Sequence, residues 1–398
     1  MSDPGYPSEG NMGQSANTYL EGESALSTPG PQGSLELQHC KETSVGRNGD
    51  LTVELARLYG GHRPRPRVLL FGNYGRGNLG DEGILASVLI SLRPVADVTV
   101  VSRAPMTLSR QHDVGAVQMM SLRGALSLLR CDAVAIGGGG MFGNGINVIT
   151  SLLPVIALLS QKLGKETLFL ATGAYSSSPS WVQRCLKKVA ASSVFVSVRD
   201  EESAAVLGRG AETVVVDDPA INLAPAPEGM ARAALEEAGV RLDRPLLGIS
   251  LKPTRYEDRN DAQVSAATAA CEWWRQELSG DCVLLCLSDR GDNGLGTEIS
   301  DRSLAEQVLA RISVPGSVHR FGPNVSPELM KAAIGQLRIV VGHRLHAQIY
   351  AWSMGVPLGG ISYERKSDSF LEARQLKRID LWALHPQDLI DWMSSMVV

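Results

Sequence analysis

Three ionisable side chains crowd the end of one apolar run. Arg338-Ile339-Val340-Val341-Gly342 reads as a buried strand, and His343-Arg344-Leu345-His346 follows at once, ahead of a helical period from Ala347 to Met354. A strand end that meets a helix N-terminus gathers backbone amides and a positive dipole end, so Arg344 and His346 suit an anion there. The competing reading is a satisfied ion pair within the fold, because buried ion networks imitate sites. Arg199 is a second candidate, since the strand Val194 to Val198 runs directly into Arg199-Asp200-Glu201-Glu202-Ser203. One arginine at a strand's carboxyl end can clamp a carboxylate or phosphate with two parallel hydrogen bonds. A salt bridge to an acid such as Asp218 fits the same residues equally well.

Two glycine-rich segments extend the list. Gly72-Asn73-Tyr74-Gly75-Arg76-Gly77-Asn78-Leu79-Gly80-Asp81-Glu82-Gly83 leads into an apolar helix, Ile84 to Leu92. Gly75, Gly77 and Gly80 spell GxGxxG, which lets backbone pass close to a bound group and presents amides at a helix start. A dinucleotide site would want an acidic residue at the end of the second strand. Here that strand ends Val100-Val101-Ser102-Arg103, so a nicotinamide cofactor rests only on an arginine suited to a ribose phosphate. A plain strand-to-helix turn, with Asp81 and Glu82 favouring the helix N-terminus, is the other reading. The run Gly137-Gly138-Gly139-Gly140-Met141-Phe142-Gly143-Asn144-Gly145 follows the strand Ala133 to Ile136. So many glycines are entropically costly unless something must come close, which points to a substrate-lining loop. Lys366, after the strand Leu358 to Ser362, is placed to reach the same region, whereas Arg365 faces solvent; Lys252 and Arg255 are weaker candidates.

These residues need a frame. From Arg67, short apolar runs alternate with longer helical periods, the pattern of parallel sheets with crossover helices. A first series comprises Arg67 to Phe71, Asp97 to Val101, Ala133 to Ile136, Thr167 to Ala171, Val194 to Val198 and Thr213 to Val216. Ala224-Pro225-Ala226-Pro227 reads as a linker. A second series comprises Leu246 to Leu251, Cys282 to Leu287, Val318 to Phe321, Ile339 to Gly342 and Leu358 to Ser362, with helices such as Leu304 to Ile312 and Pro327 to Ile334 between them. The expected division is an N-terminal domain over 63–224 and a C-terminal domain over 225–398. Residues 1–62 are polar, lack a sustained apolar period and read as a disordered tail, in which Leu51 to Tyr59 has room for one helix turn or two.

Composition narrows the function classes. The chain has 398 residues, 44% of them hydrophobic, enough to bury a core in each of two domains. Lys and Arg number 38 against 42 Asp and Glu, so no overall field drives the protein onto nucleic acid or an anionic membrane, and any anion site must be local. Six cysteines without a CxxC pair fit a reducing cytoplasm, and Cys282 and Cys286 flank an apolar strand more readily than they bind metal. No leader and no membrane-spanning run is expected, so the protein is placed in the cytoplasm, free or peripheral to the inner membrane face. There is no GxSxG elbow, phosphate loop or HExxH spacing, and no metal is required.

Taken in order, GNYGRGNLGDEGIL, GGGGMFGNG, SVRDEES, DDPAINL and VVGHRLHAQIYAWSMGVPLGGISYERK resemble the polysaccharide pyruvyl transferase family, over about Val68 to Leu376. The resemblance implies an α/β fold with two Rossmann-like domains facing across a cleft, similar to glycosyltransferase-B architecture. It implies phosphoenolpyruvate as co-substrate, with no further cofactor, and a sugar or lipid-linked sugar acceptor that receives a pyruvate ketal. Arg199, Arg344 and His346 match the family's donor-binding and catalytic positions. Gly75, Gly77, Asn78, Gly80, Asp81, Glu82, Gly138, Gly139, Gly140 and Lys366 complete the expected substrate-binding set. On this reading His346 protonates the donor's methylene carbon, both arginines hold its anionic groups, and Asp81 or Glu82 takes a hydroxyl proton. A nucleotide-sugar-dependent glycosyltransferase and a non-catalytic binder of the same fold are the alternatives.

Overall fold

The computed structural model describes residues 51–62, 64–143, 146, 148–208, 213–289 and 299–397. The expected disordered tail up to residue 50 lies outside them, as do Asn144 and Gly145 of the second glycine run. From Leu51 onward the stretch assigned to that tail is ordered: α1 (Leu51–Tyr59) buries Leu55 and Tyr59 in the core of the first half.

The first half continues β1 (Arg67–Phe71), α2 (Leu79–Leu92), β2 (Asp97–Val101), α3 (Pro105–His112), β3 (Gly115–Val117), α4 (Leu122–Arg130), β4 (Ala133–Ile136), β5 (Gly139–Phe142), α5 (Val148–Lys162), β6 (Glu166–Ala174), α6 (Ser180–Ala191), β7 (Phe195–Val198), α7 (Glu201–Leu207) and β8 (Thr213–Val215). Its strands lie in the order β3-β2-β1-β4-β6-β7-β8, with β5 against the end of β6. Alternate residues of each strand feed opposite faces: Val68 and Leu70 enter the core under α2, while Leu69 and Phe71 enter the core under α5 and α6. That two-sided burial is why these strands read as continuous apolar runs.

A 3-10 turn, Pro219–Asn222, follows. The second half then runs α8 (Glu228–Glu237), β9 (Leu246–Ser250), α9 (Glu257–Leu278), β10 (Asp281–Leu285), α10 (Asp301–Arg311), β11 (Val318–Phe321), α11 (Pro327–Ile334), β12 (Ile339–Gly342), α12 (Leu345–Ser353), β13 (Leu358–Ser362), α13 (Arg365–Ala373), β14 (Lys377–Asp380) and α14 (Pro386–Val397). Its sheet has the order β11-β10-β9-β12-β13-β14 and is parallel throughout.

Each sheet reverses its strand order once, between β1 and β4 and between β9 and β12. Open parallel sheets bind ligands at the carboxyl ends beside such a reversal. The segments leaving those four strands are the two glycine runs, Lys252, and His343-Arg344.

The halves are joined along a packed seam. Ile84 and Leu85 of α2 share one core with Met330 and Ile334 of α11 and with Ile349 and Tyr350 of α12. The Leu79 amide donates to Leu287 O at 2.9 Å, and Tyr350 Oη donates to Leu79 O at 3.2 Å. Small residues make this approach possible, since a Cβ on Gly83 of α2 would sit 2.2 Å from Tyr350 Oη.

Gly83→Ala, ordinarily favourable within a helix, should here cost roughly 1–3 kcal/mol through overpacking. In a Tyr350→Phe background the same change should cost distinctly less, because the oxygen it strikes is gone. Urea titrations of the four proteins check this; equal costs in both backgrounds would contradict the seam geometry.

Candidate active site

The segment after β12 divides its labour. His343 leaves the strand by donating its amide to Ser250 O at 2.9 Å, and its Nδ1 lies 2.7 Å from Gln263 Oε1. Leu345 belongs to the core. Arg344, the N-cap residue of α12, is buried, and its Nε and Nη2 both bond Asp301, the first residue of α10. Asp301 is 1% exposed and also accepts the amides of Leu287 and Ser288. Arg344, expected to clamp an anionic donor, is already paired with a carboxylate of the fold. Its fork is matched to a protein carboxylate, and removing one partner of such a pair costs about 3–5 kcal/mol.

His346 is different. As the second residue of α12 it reaches back across the seam, and its ring lies flat against Gly80 of α2, where a Cβ would be 2.0 Å from Nδ1. Its Nε2 points to Asp218 Oδ2 at 3.8 Å, and both atoms are buried without a hydrogen-bond partner. Burial draws the imidazole pKa down to about 4 against the opposing pull of the Asp218 carboxylate. The free protein therefore holds His346 neutral at pH 7.

Asp218 is anchored by its other oxygen, which accepts the Ala220 amide at 3.0 Å and caps the 3-10 turn. Lys331 of α11 grips that turn from the other half, donating to Ile221 O at 2.6 Å; its burial lowers its own pKa to about 8. On the remaining side of Asp218 stands Arg199, with Nη1 3.7 Å from Oδ2. Arg199 is buried too, its Nε donating to Tyr175 Oη at 2.8 Å and lying 3.6 Å from Asp200. Both readings left open for Arg199 meet here: it salt-bridges Asp218 and still sits at a strand end beside the other half's histidine.

Several expected substrate-binding residues make structural contacts within the fold. The Gly75 amide donates to Glu82 Oε1 at 2.7 Å and so is not offered to a ligand. Asn78 caps α2 by accepting the Gly80 amide, and Gly80 makes room for His346. Glu82 also lies 3.3 Å from His112, and Asp81 accepts from Asn73 at 2.7 Å, so both acids serve the start of α2. The second glycine run is partly a strand: Gly139 and Gly140 pair with β6 as part of β5. A Cβ at Gly140 would lie 2.8 Å from Arg199 Nη2 and one at Gly138 2.7 Å from Ile84, so these glycines admit neighbouring side chains. Gly139 adopts φ +102°, and of the expected substrate-binding glycines only Gly77, at φ +75°, has nothing within reach of a Cβ.

Lys366 pairs with Glu364 at 2.8 Å, and its charge is felt at both His346 and Tyr175. Lys252, a weak candidate in the sequence, is buried against the same Glu364. Burial alone would raise the Glu364 pKa, yet the two lysines hold it well below the usual range. Arg365 is exposed, as expected. Asp218, Tyr175 and Asp301 were not singled out from the sequence as members of this cluster. Tyr74 was missed too; its hydroxyl is buried without a partner, where a Cβ on Gly137 would lie 2.2 Å away.

A model of the polysaccharide pyruvyl transferase family matches residues 56–365. The sequence matches no curated protein. Among solved structures, MnaA of S. aureus with UDP superposes with a TM-score of 0.59 at 11% identity, covering 83% of this chain and 88% of that one. UDP-GlcNAc 2-epimerase from Neisseria meningitidis bound to UDP-GlcNAc gives 0.55 at 12% identity, covering 83% and 90%. A glycosyltransferase from Rickettsia africae gives 0.53 at 9% identity, covering 84% and 88%. These similarities establish the fold: an α/β chain of two Rossmann-like halves in the glycosyltransferase-B manner.

The depressed His346 pKa has a thermodynamic consequence. Between its ordinary value of 6.5 and about 4, the unfolded chain binds a proton at this residue and the folded chain does not. Its neutral burial is thus fully compatible with stability above that window, and stability falls as pH falls through it. His343, also depressed by burial, acts in the same sense. Urea midpoints for wild type and His346→Gln should converge toward acid pH, with the smaller slope in the variant; parallel pH profiles would contradict the assignment.

Proposed function

The chain belongs to the polysaccharide pyruvyl transferase family, and from that premise we propose that it moves the pyruvyl group of phosphoenolpyruvate onto a sugar of a surface polysaccharide or its lipid-linked precursor. The observation that carries the reading is the convergence of Arg199 and His346, from opposite halves, on the buried and incompletely bonded Asp218. Phosphoenolpyruvate carries a carboxylate and a phosphate beside an enol carbon. A site for it must hold two anionic groups and manage one proton, which is what an arginine, a lysine and a histidine brought together at the seam provide.

In the proposed reaction a sugar hydroxyl adds to the central carbon of the donor while its methylene carbon takes a proton, becoming a methyl group. A second hydroxyl of the same sugar then displaces phosphate, which leaves with the carbon–oxygen bond pair, while that hydroxyl's proton passes to the imidazole left neutral by the first step, and the cyclic ketal closes. Arg199 holds one anionic group of the donor and Lys366 supports the other. His346 supplies the proton to the methylene carbon. It is neutral in the free protein, and the negative charge of the arriving donor favours its protonated form. Asp218, within 3.8 Å of His346, takes the proton of the attacking hydroxyl in place of Asp81 or Glu82. Arg344 acts at one remove, fixing the start of α12 through Asp301.

Phosphate release with candidate sugar acceptors tests these roles. His346→Ala should lower kcat by roughly 10²–10⁴-fold, the usual span for losing a general acid. Arg199→Lys should chiefly raise the KM for phosphoenolpyruvate, since a point charge replaces a planar fork. Full turnover in His346→Ala would refute the acid assignment. In thermal-shift measurements phosphoenolpyruvate should stabilise the protein and UDP should not; the reverse result would favour a nucleotide-sugar enzyme.

A further inference from the structure

Two helices on one face of the first sheet present large apolar side chains to water. α4 carries leucines at 122, 126 and 129, the i, i+4, i+7 spacing of a single stripe, yet the stripe points outward: Leu122 is 78% exposed and Leu129 65%. The preceding Met120 is 82% exposed. α5 buries Leu153 and Ala157 in the core but also leaves apolar residues outside. Val148, Leu152 and Leu159 lie outward with Leu163 just beyond the helix, while Ser151 and Ser160 are turned into the protein.

The two helices lie on the same face of the sheet. Leu128 of α4 and Ile156 of α5 pack against the same core beneath the sheet, on the face opposite α2. Lys165, after α5, donates to the carbonyl oxygens of Leu129 and Cys131 at 2.9 and 2.6 Å, tying the carboxyl ends of the helices together. Large apolar residues grouped in exposed stripes mark an interaction surface.

Charge on the same surface identifies the partner. The chain as a whole is acidic, at −4, but between Asp113 and Glu166 its one acidic residue is Asp132, which pairs with Arg67. The same stretch holds Arg123, Arg130, Lys162 and Lys165, and the first three are exposed. Leucines flanked by arginine and lysine, with acids excluded, are the composition of helices that lie in a lipid–water interface. Among the described residues no helix is long and apolar enough to cross a membrane, so the contact would be with its surface.

We propose that the α4–α5 face is a docking surface for an anionic lipid bilayer, with the leucine stripes entering the interface and Arg123, Arg130 and Lys162 meeting the headgroups. This inference stands independently of the donor chemistry. The test is flotation of the full-length protein with vesicles. It should rise with phosphatidylcholine vesicles containing phosphatidylglycerol, stay below with phosphatidylcholine alone, and be released by salt. Leu122→Glu with Leu129→Glu alters only exposed positions; it should keep the wild-type melting temperature and lose roughly tenfold or more of the binding, as expected for withdrawing buried leucines. Arg123→Gln with Arg130→Gln, which leaves the apolar stripe whole, should weaken binding to the anionic vesicles as well. Equal recovery with both lipids, no flotation with either, or full binding by both folded variants would overturn the proposal. So would concentration-dependent dimerisation that the leucine variant abolishes, which would make the face a contact between two copies.

Discussion

The site hangs on a contact that leaves no space for a β-carbon. Where α2 begins, Gly80 presents bare backbone, and the ring of His346 from the other half lies directly upon it. Nothing bulkier than glycine allows the two helix starts to come so close. That approach carries the imidazole into the seam, where Asp218 and Arg199 complete the group. Gly140 and Gly173 serve Arg199 in the same way, each leaving 2.8 Å between an imagined Cβ and the guanidinium. The glycines of this fold are therefore spent mainly on admitting protein side chains, which in turn are what a ligand would meet.

Burial at the seam governs the electrostatics that follow. A neutral histidine, a carboxylate with one uncommitted oxygen and a paired arginine coexist because each is anchored elsewhere: His346 by the helix that carries it, Asp218 by the Ala220 amide, Arg199 by Tyr175. Lys331 adds a tie across the halves by holding the turn on which Asp218 stands. Such a cluster is poised to respond to added negative charge, because a low-dielectric setting magnifies each ionic change.

Much of the frame was legible in the sequence, and the reasons differ from the reasons for what was not. β1, β2, β4, β11, β12 and β13 have the limits expected from the sequence, and in β1, β4, β12 and β13 burial on both faces leaves an uninterrupted apolar signal. β3 is only three residues long, β14 is a polar edge of Lys377, Arg378, Ile379 and Asp380, and β5 opens on two glycines; none offers such a run. Strand ends marked Arg199, Arg344 and His346 as chemically notable. Local pattern is silent, however, on partners distant in sequence. Asp301 lies 43 positions from Arg344 and takes its Nε and Nη2, a structural pairing that no local pattern announces. Asp218, by contrast, looked like a mere salt-bridge acid and is the point on which both halves converge.

The central claim is that this seam receives an anionic donor and that His346 changes protonation when it does. The most direct measurement is the pKa of His346 itself, followed by nitrogen NMR of histidine-labelled protein, assigned with His346→Gln, in the absence and presence of phosphoenolpyruvate. The account predicts an imidazole that stays neutral until the pH approaches about 4 in the free protein and a clearly raised pKa once phosphoenolpyruvate is bound. A His346 titration unchanged by saturating phosphoenolpyruvate would contradict it.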